Sequence, residues 1–319
     1  MTLDPDLAGT LHHLAGAGSL AELLSRPGGA DRLEAFSGGP VPYQAPDVRV
    51  RDAEAPGPNG PVPVTIYGAG SHGGPALVWM HGGGFAGGGP EMREADQLAR
   101  EVAARSGGVV VSVDYRLARD GVHFPVPHED VLAAWLWTVE HAAELGARPD
   151  RVCLGGASAG GNLAVGAALF LKDAGLPMPA KLLLAYPFLH ADLSVSGAAT
   201  ARDILDALPR PLRFTPDDCR ALVENYIGGP VAVAPSYAMP GKADPSGLPP
   251  AAIIACEYDD LRPSAEAFAA GLRRAGTDVD FRLEAGAVHG YLNHSAGLRI
   301  VQDGLAFLAR ALVETKPFQ

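Results

Sequence analysis

The chain has 319 residues, and its 25 Lys plus Arg against 36 Asp plus Glu give a net charge of −11, which repels phosphate backbones and anionic lipid headgroups and argues against a nucleic-acid partner. Hydrophobic residues make up 47% and charged residues 19%, enough for a sizeable core and too little charge for a disordered chain. That length excludes a small stapled scaffold, and three cysteines, two of them (Cys153 and Cys256) inside apolar runs, argue against a disulfide framework and for a reducing compartment.

The N-terminus, MTLDPDLAGTLHHLAG, lacks a basic region followed by a long apolar one. Nowhere do about 18 apolar residues run uninterrupted, so a cytoplasmic protein without a membrane span is expected. Met1 to about Ala45 is rich in Pro and Gly, and Arg51–Pro63 reads as a hairpin turn joining two early antiparallel strands. From Val62 onward short apolar runs alternate with segments of helical period. The expected strands are Val62–Tyr67, Ala76–Met80, Val109–Val113, Arg151–Leu154, Leu182–Tyr186, Ala251–Cys256 and Val279–Leu283. Between them lie expected helices at Glu91–Arg105, Glu129–Leu145, Ser158–Ala174, Ser264–Ala275 and Leu298–Glu314. Such alternation predicts an α/β protein with a mostly parallel sheet covered on both faces. Phe188 to about Ser246 breaks it, with a short helix near Pro216–Tyr226. Residues 1–45 and 188–246 are therefore read as additions over the C-terminal edge of the sheet, where ligands bind in such folds, with 46–187 and 247–319 forming one core.

Gly156-Ala157-Ser158-Ala159-Gly160 lies directly between an expected strand and an expected helix. A serine on so sharp a turn needs small neighbours and stands beside helix N–H groups that favour negative charge, which is the arrangement of a nucleophile elbow. The alternative is a plain helix start capped by Ser158. His81-Gly82-Gly83-Gly84-Phe85 also follows an expected buried strand, and consecutive glycines let backbone N–H groups face a substrate oxygen. Gly83 and Gly84, with Ala159, are candidate oxyanion donors. A competing reading takes Gly82-x-Gly84-x-x-Gly87 as a dinucleotide fingerprint with Asp114 on the ribose, which would leave the Ser158 elbow without a purpose.

A serine nucleophile needs a base and an acid to orient that base. Asp259 follows the strand ending near Cys256, and His289 follows the strand ending near Leu283 within Gly286-Ala287-Val288-His289-Gly290-Tyr291. Asp260 and Glu257 compete with Asp259, and His294 competes with His289. The remaining histidines (His12, His13, His72, His123, His128, His141 and His190) occupy positions that suggest exposed loops or helix faces. Phe85, Phe188 and Tyr291 flank the motifs as possible substrate contacts. No Cys/His cluster has zinc spacing, and neither metal nor cofactor is called for.

The set His81-Gly82-Gly83-Gly84, Val113-Asp114-Tyr115-Arg116-Leu117-Ala118, Gly156 to Asn162, Gly247-Leu248-Pro249-Pro250-Ala251, Glu257 to Arg262 and His289-Gly290-Tyr291 resembles the bacterial hormone-sensitive-lipase family of carboxylesterases. The resemblance runs from about residue 62 to the C-terminus. It implies an α/β-hydrolase fold and hydrolysis of small carboxylic esters of short to medium acyl chain, with Ser158 as nucleophile, His289 as base and Asp259 as its orienting acid. It further implies that Gly83, Gly84 and Ala159 form the oxyanion hole, that His81 and Gly82 support the loop, that 1–45 and the insertion after the sixth strand form a cap, and that two copies pair through the last strand and helix. An amidase, lactonase or deacetylase would use the same residues, and a silent binding protein would use the same fold. Asp259 aligns with the family's acid because it precedes Leu261-Arg262 by two positions, where the family usually has Asp-Pro-Leu-Arg, and the sequence departs from the family at Ala157, where an acidic residue is usual, and at Arg119-Asp120, where Pro-Glu is typical.

Overall fold

Val109-Val-Val-Ser-Val113 and Leu182-Leu-Leu-Ala185 carry apolar side chains toward both faces of a strand, which is stable only in a sheet covered on both sides. The computed structural model, described over residues 2–38, 43–68, 73–195 and 202–317, places them inside one eight-stranded sheet. Its strands are β1 (Val50–Ala55), β2 (Val62–Tyr67), β3 (Gly74–Met80), β4 (Val109–Val113), β5 (Ala147–Ala157), β6 (Leu182–Ala185), β7 (Ala251–Tyr258) and β8 (Val279–Val288), in the order β1-β2-β4-β3-β5-β6-β7-β8. The β1–β2 and β2–β4 pairs are antiparallel, and every later pair is parallel. The expected hairpin around Arg51–Pro63 is the β1–β2 connection.

Helices α1 (Pro5–Thr10), α2 (Leu20–Ser25) and α3 (Gly29–Gly38) precede the sheet. The connecting helices are α4 (Asp96–Ser106), α5 (Val126–Glu140), α6 (Ala159–Ala174), α9 (Arg262–Arg274) and α10 (Arg299–Val313), while α7 (Arg202–Ala207) and α8 (Pro216–Ile227) lie in the insertion after β6. Two apolar clusters cover the sheet, one built largely on α5, α6 and α9 and the other on α4 and α10. Trp135 fills the first at 0% exposure, while Trp137, two residues on, is only partly buried.

Several boundaries differ from expectation for local reasons. β5 runs on to Ala157 because Gly155 and Gly156 pair with Leu183 and Leu184, and a Cβ at Gly155 would strike the Leu183 carbonyl. α4 begins at Asp96 rather than Glu91, since Gly87 to Arg93 is spent in turns. In α8, Asp218 is more than a solvated charge: it forms a capping box with Thr215 and pairs with Arg210. His128 and His190, read as exposed, are 2% and 4% exposed. His128 is stacked on Tyr237, and His190 Nδ1 lies 2.9 Å from the buried Ser264 hydroxyl. His72 lies outside the described residues.

Candidate active site

β5, β7 and β8 are parallel, so their C-terminal ends open at one edge of the sheet, and Ser158, Asp259 and His289 each follow one of them. Ser158 has φ 52° and ψ −114°, a conformation rarely tolerated by a residue with a side chain. The turn is closed tightly enough that a Cβ at Gly160 would collide with the carbonyls of Met80 and His81. Ser158 is fixed by its N–H donating to Ala185 O at 2.9 Å and its carbonyl accepting from Phe188 N–H at 3.1 Å.

His289 Nε2 lies 2.9 Å from Ser158 Oγ, and His289 Nδ1 lies 2.7 Å from Asp259 Oδ2. The carboxylate only accepts, so Nδ1 carries the proton and Nε2 is left to accept from the hydroxyl. The other Asp259 oxygen accepts from Leu261 N–H at 2.8 Å, which fixes the carboxylate. Burial lowers the proton affinity of His289, but the charge and hydrogen bond of Asp259 outweigh it, and the net shift is upward from 6.5.

The rivals are engaged elsewhere. Asp260 binds Arg213 and the Phe214 N–H. Glu257 accepts from Gly286 N–H at 2.8 Å. His294 is buried with its ring edge-on to Phe36.

The glycine loop has left-handed backbone at Gly83 and Gly84, with φ 109° and 60°. A Cβ at Gly83 would strike the Gly87 carbonyl, and Gly83 O accepts from the N–H groups of Ala86 and Gly87. Among the described residues, nothing accepts from the N–H of Gly83, Gly84 or Ala159. Gly82 differs, because its N–H donates to Glu94 Oε1 at 2.8 Å. His81 is fully buried and stacked on Tyr115; its Nδ1 donates to Gly82 O at 2.6 Å, and Tyr115 Oη donates to His81 O at 2.9 Å. Burial pushes its pKa down, so the ring stays neutral in the loop.

Glu94 was not legible in the sequence as a site residue. It is 2% exposed, and besides Gly82 N–H it accepts from Tyr186 Oη at 2.7 Å. The Tyr186 ring meets His289 edge-on at 5.0 Å, so one carboxylate ties the glycine loop to the imidazole wall. Nothing in the local sequence marks it, since its carboxylate binds Gly82 and Tyr186 and its backbone pairs with Trp79 and Asn293.

The three aromatics read as substrate contacts need correction. Phe85, Phe188 and Tyr291 are at most 1% exposed and belong to the core. Phe85 is stacked on Tyr226 at 4.0 Å, while the Tyr291 hydroxyl points to Glu284. Besides Tyr186, the side chains that approach the site are Phe214, edge-on to His289 at 4.7 Å, and Leu222, which closes over Gly84.

A family described as alpha/beta hydrolase fold matches residues 77–293. The carboxylesterase NlhH of Mycobacterium tuberculosis is 38% identical over 248 residues, covering 75% of this chain and 74% of that protein. The esterase LipI of the same organism is 32% identical over 259 residues, with 78% and 77% covered. Among solved structures, a hyperthermophilic esterase from the archaeon Pyrobaculum calidifontis superposes with a TM-score of 0.81 at 30% identity over 98% of each chain. A bacterial heroin esterase does so with a TM-score of 0.80 at 32% identity, also over 98% of each.

Proposed function

Because this chain belongs to the alpha/beta hydrolase family, on its hormone-sensitive-lipase-like branch, we propose that it is a serine carboxylesterase acting on small esters of short to medium acyl chain through an acyl-enzyme. The observation that carries the reading is the continuous relay from Ser158 Oγ to His289 to Asp259, at 2.9 and 2.7 Å, beside three unclaimed backbone donors.

Ser158 Oγ attacks the ester carbonyl as its proton passes to His289 Nε2, and Asp259 stabilises the imidazolium that results. The carbonyl oxygen becomes an alkoxide against the N–H groups of Gly83, Gly84 and Ala159; one such donor contributes roughly 3 kcal/mol to the transition state. His289 returns the proton to the alcohol oxygen as the C–O bond breaks. Water then attacks the acyl-Ser158 ester by the same relay and releases the acid. Residues 1–45 and 188–246 act as a cap: Phe214 and Leu222 meet the site from the insertion, and Phe36 packs beside His294 from the N-terminal segment. The described residues contain no helix long and apolar enough to cross a membrane, and the free, buried Cys153, Cys219 and Cys256 suit a reducing, cytoplasmic compartment.

The test is turnover of p-nitrophenyl butyrate by the wild type, Ser158→Ala and His289→Gln. Wild-type hydrolysis with a loss of about 10³-fold or more in both variants is expected. Equal rates in all three, or no turnover of any ester across a broad panel, refute the reading.

A further inference from the structure

Asp260 is engaged as closely as its neighbour Asp259. Its two oxygens lie 2.9 and 3.3 Å from Arg213 Nε and Nη2, fork to fork, and Oδ2 also accepts the Phe214 N–H at 2.8 Å. Both partners are largely shielded, at 18% and 14% side-chain exposure, and Arg213 Nη1 reaches on to Leu205 O at 2.6 Å. The carboxylate thereby fixes both the backbone and the side chain of the strap that carries Phe214. Adjacent carboxylates on one loop thus divide the work, Asp259 orienting the imidazole and Asp260 holding an aromatic ring against it.

The location of that ring has a chemical meaning. The departing alcohol oxygen must take its proton from His289 Nε2, so the alcohol half of the ester passes beside the imidazole, where the half-buried Phe214 stands edge-on. The acyl half remains with Ser158 and the glycine loop, where Leu222 closes over Gly84. Resting on the esterase reading above, we propose that Phe214, positioned by the Asp260–Arg213 pair, is the wall of the leaving-group side and makes the enzyme select slim or flat alcohols over branched ones.

The experiment compares kcat/KM for benzyl, ethyl and tert-butyl acetate, so that the acyl-enzyme is the same throughout, alongside a p-nitrophenyl series of growing acyl chain. Each preparation is counted by titrating Ser158 with a fluorophosphonate, so misfolded protein does not enter. Phe214→Ala raises the tert-butyl to benzyl ratio about tenfold and Phe214→Trp lowers it, while the acyl-chain order stays as in the wild type. Asp260→Asn and Arg213→Met move the ratio in the direction of Phe214→Ala and add little to it in the double variants. A ratio unchanged in both Phe214 variants, or a change in acyl order instead, overturns the wall. An unchanged ratio in Asp260→Asn and Arg213→Met overturns the latch. If wild type neither hydrolyses an ester nor takes the fluorophosphonate, the esterase reading itself fails and this proposal with it.

Discussion

A serine hydroxyl is almost fully protonated near neutral pH, so the reactivity assigned to Ser158 depends on the ionisation of one imidazole. His289 works as a base only when neutral, and Asp259 holds its pKa above 6.5 against the opposing pull of burial. Protonation on the acid side therefore removes activity, and kcat/KM should rise with pH through an inflection above 6.5. An inflection below 6.5 in a pH–rate profile of the wild type contradicts this assignment. Asp259→Asn should lower the inflection and cut the rate by several orders of magnitude, since the amide no longer selects the working tautomer. A second prediction concerns Glu94. Glu94→Ala strips the partners from Gly82 N–H and Tyr186 Oη inside a closed site, which costs about 1–3 kcal/mol of stability for each buried group left unpaired. Denaturant unfolding should show that loss, and kcat should fall with KM changed little because the glycine loop is loosened rather than removed. The contrast between these residues explains what could be read in advance. Ser158, His289 and the glycine loop announce themselves through contiguous small residues that a tight turn requires. Glu94, Asp260 and Arg213 act through partners far away in the chain, and a single charged letter carries no sign of that.

Parallel strands impose the larger arrangement, because they all deliver their C-terminal ends to one edge. The strands β5, β7 and β8 were therefore legible in the sequence, although each runs past its expected end, to Ala157, Tyr258 and Val288 rather than Leu154, Cys256 and Leu283, whereas α1–α3 and the strap before α8 were not: their short helices owe their places to tertiary contacts rather than to a repeating period. His294 marks one such contact. It is 1% exposed, edge-on to Phe36 of α3, and has no partner for Nδ1 among the described residues. Beside it, Arg93 donates to Ser37 Oγ at 2.7 Å and Ser295 N–H to Ser37 O at 2.8 Å. Burial, assisted by the Arg93 charge, lowers the His294 pKa from 6.5 to about 4. Between those values the unfolded chain binds the proton and the folded chain does not, so stability falls as pH drops from 6.5 toward 4 and levels off below. The loss from this site is about 3 kcal/mol. The buried His81, His128 and His190 are shifted in the same direction. His294→Leu should flatten the fall in Tm between pH 7 and pH 5. An unchanged pH dependence in that variant shows that His294 is not the source of the fall.

Across the whole molecule, Ser158 lies 131 residues from His289, which in turn lies 30 residues from Asp259. Closing such separations is the task of the sheet and its two apolar layers, and the insertion brings Phe214 and Leu222 to the same edge. Fold and site are thus one construction, in which the relay exists only when the entire core is assembled. The most direct measurement is rapid quenching of the enzyme with p-nitrophenyl acetate followed by peptide mass spectrometry. The prediction is an early burst of nitrophenolate with one acetyl group on the peptide containing Ser158, absent in Ser158→Ala. Acetyl carried by another residue, or a burst that survives in Ser158→Ala, would contradict the account.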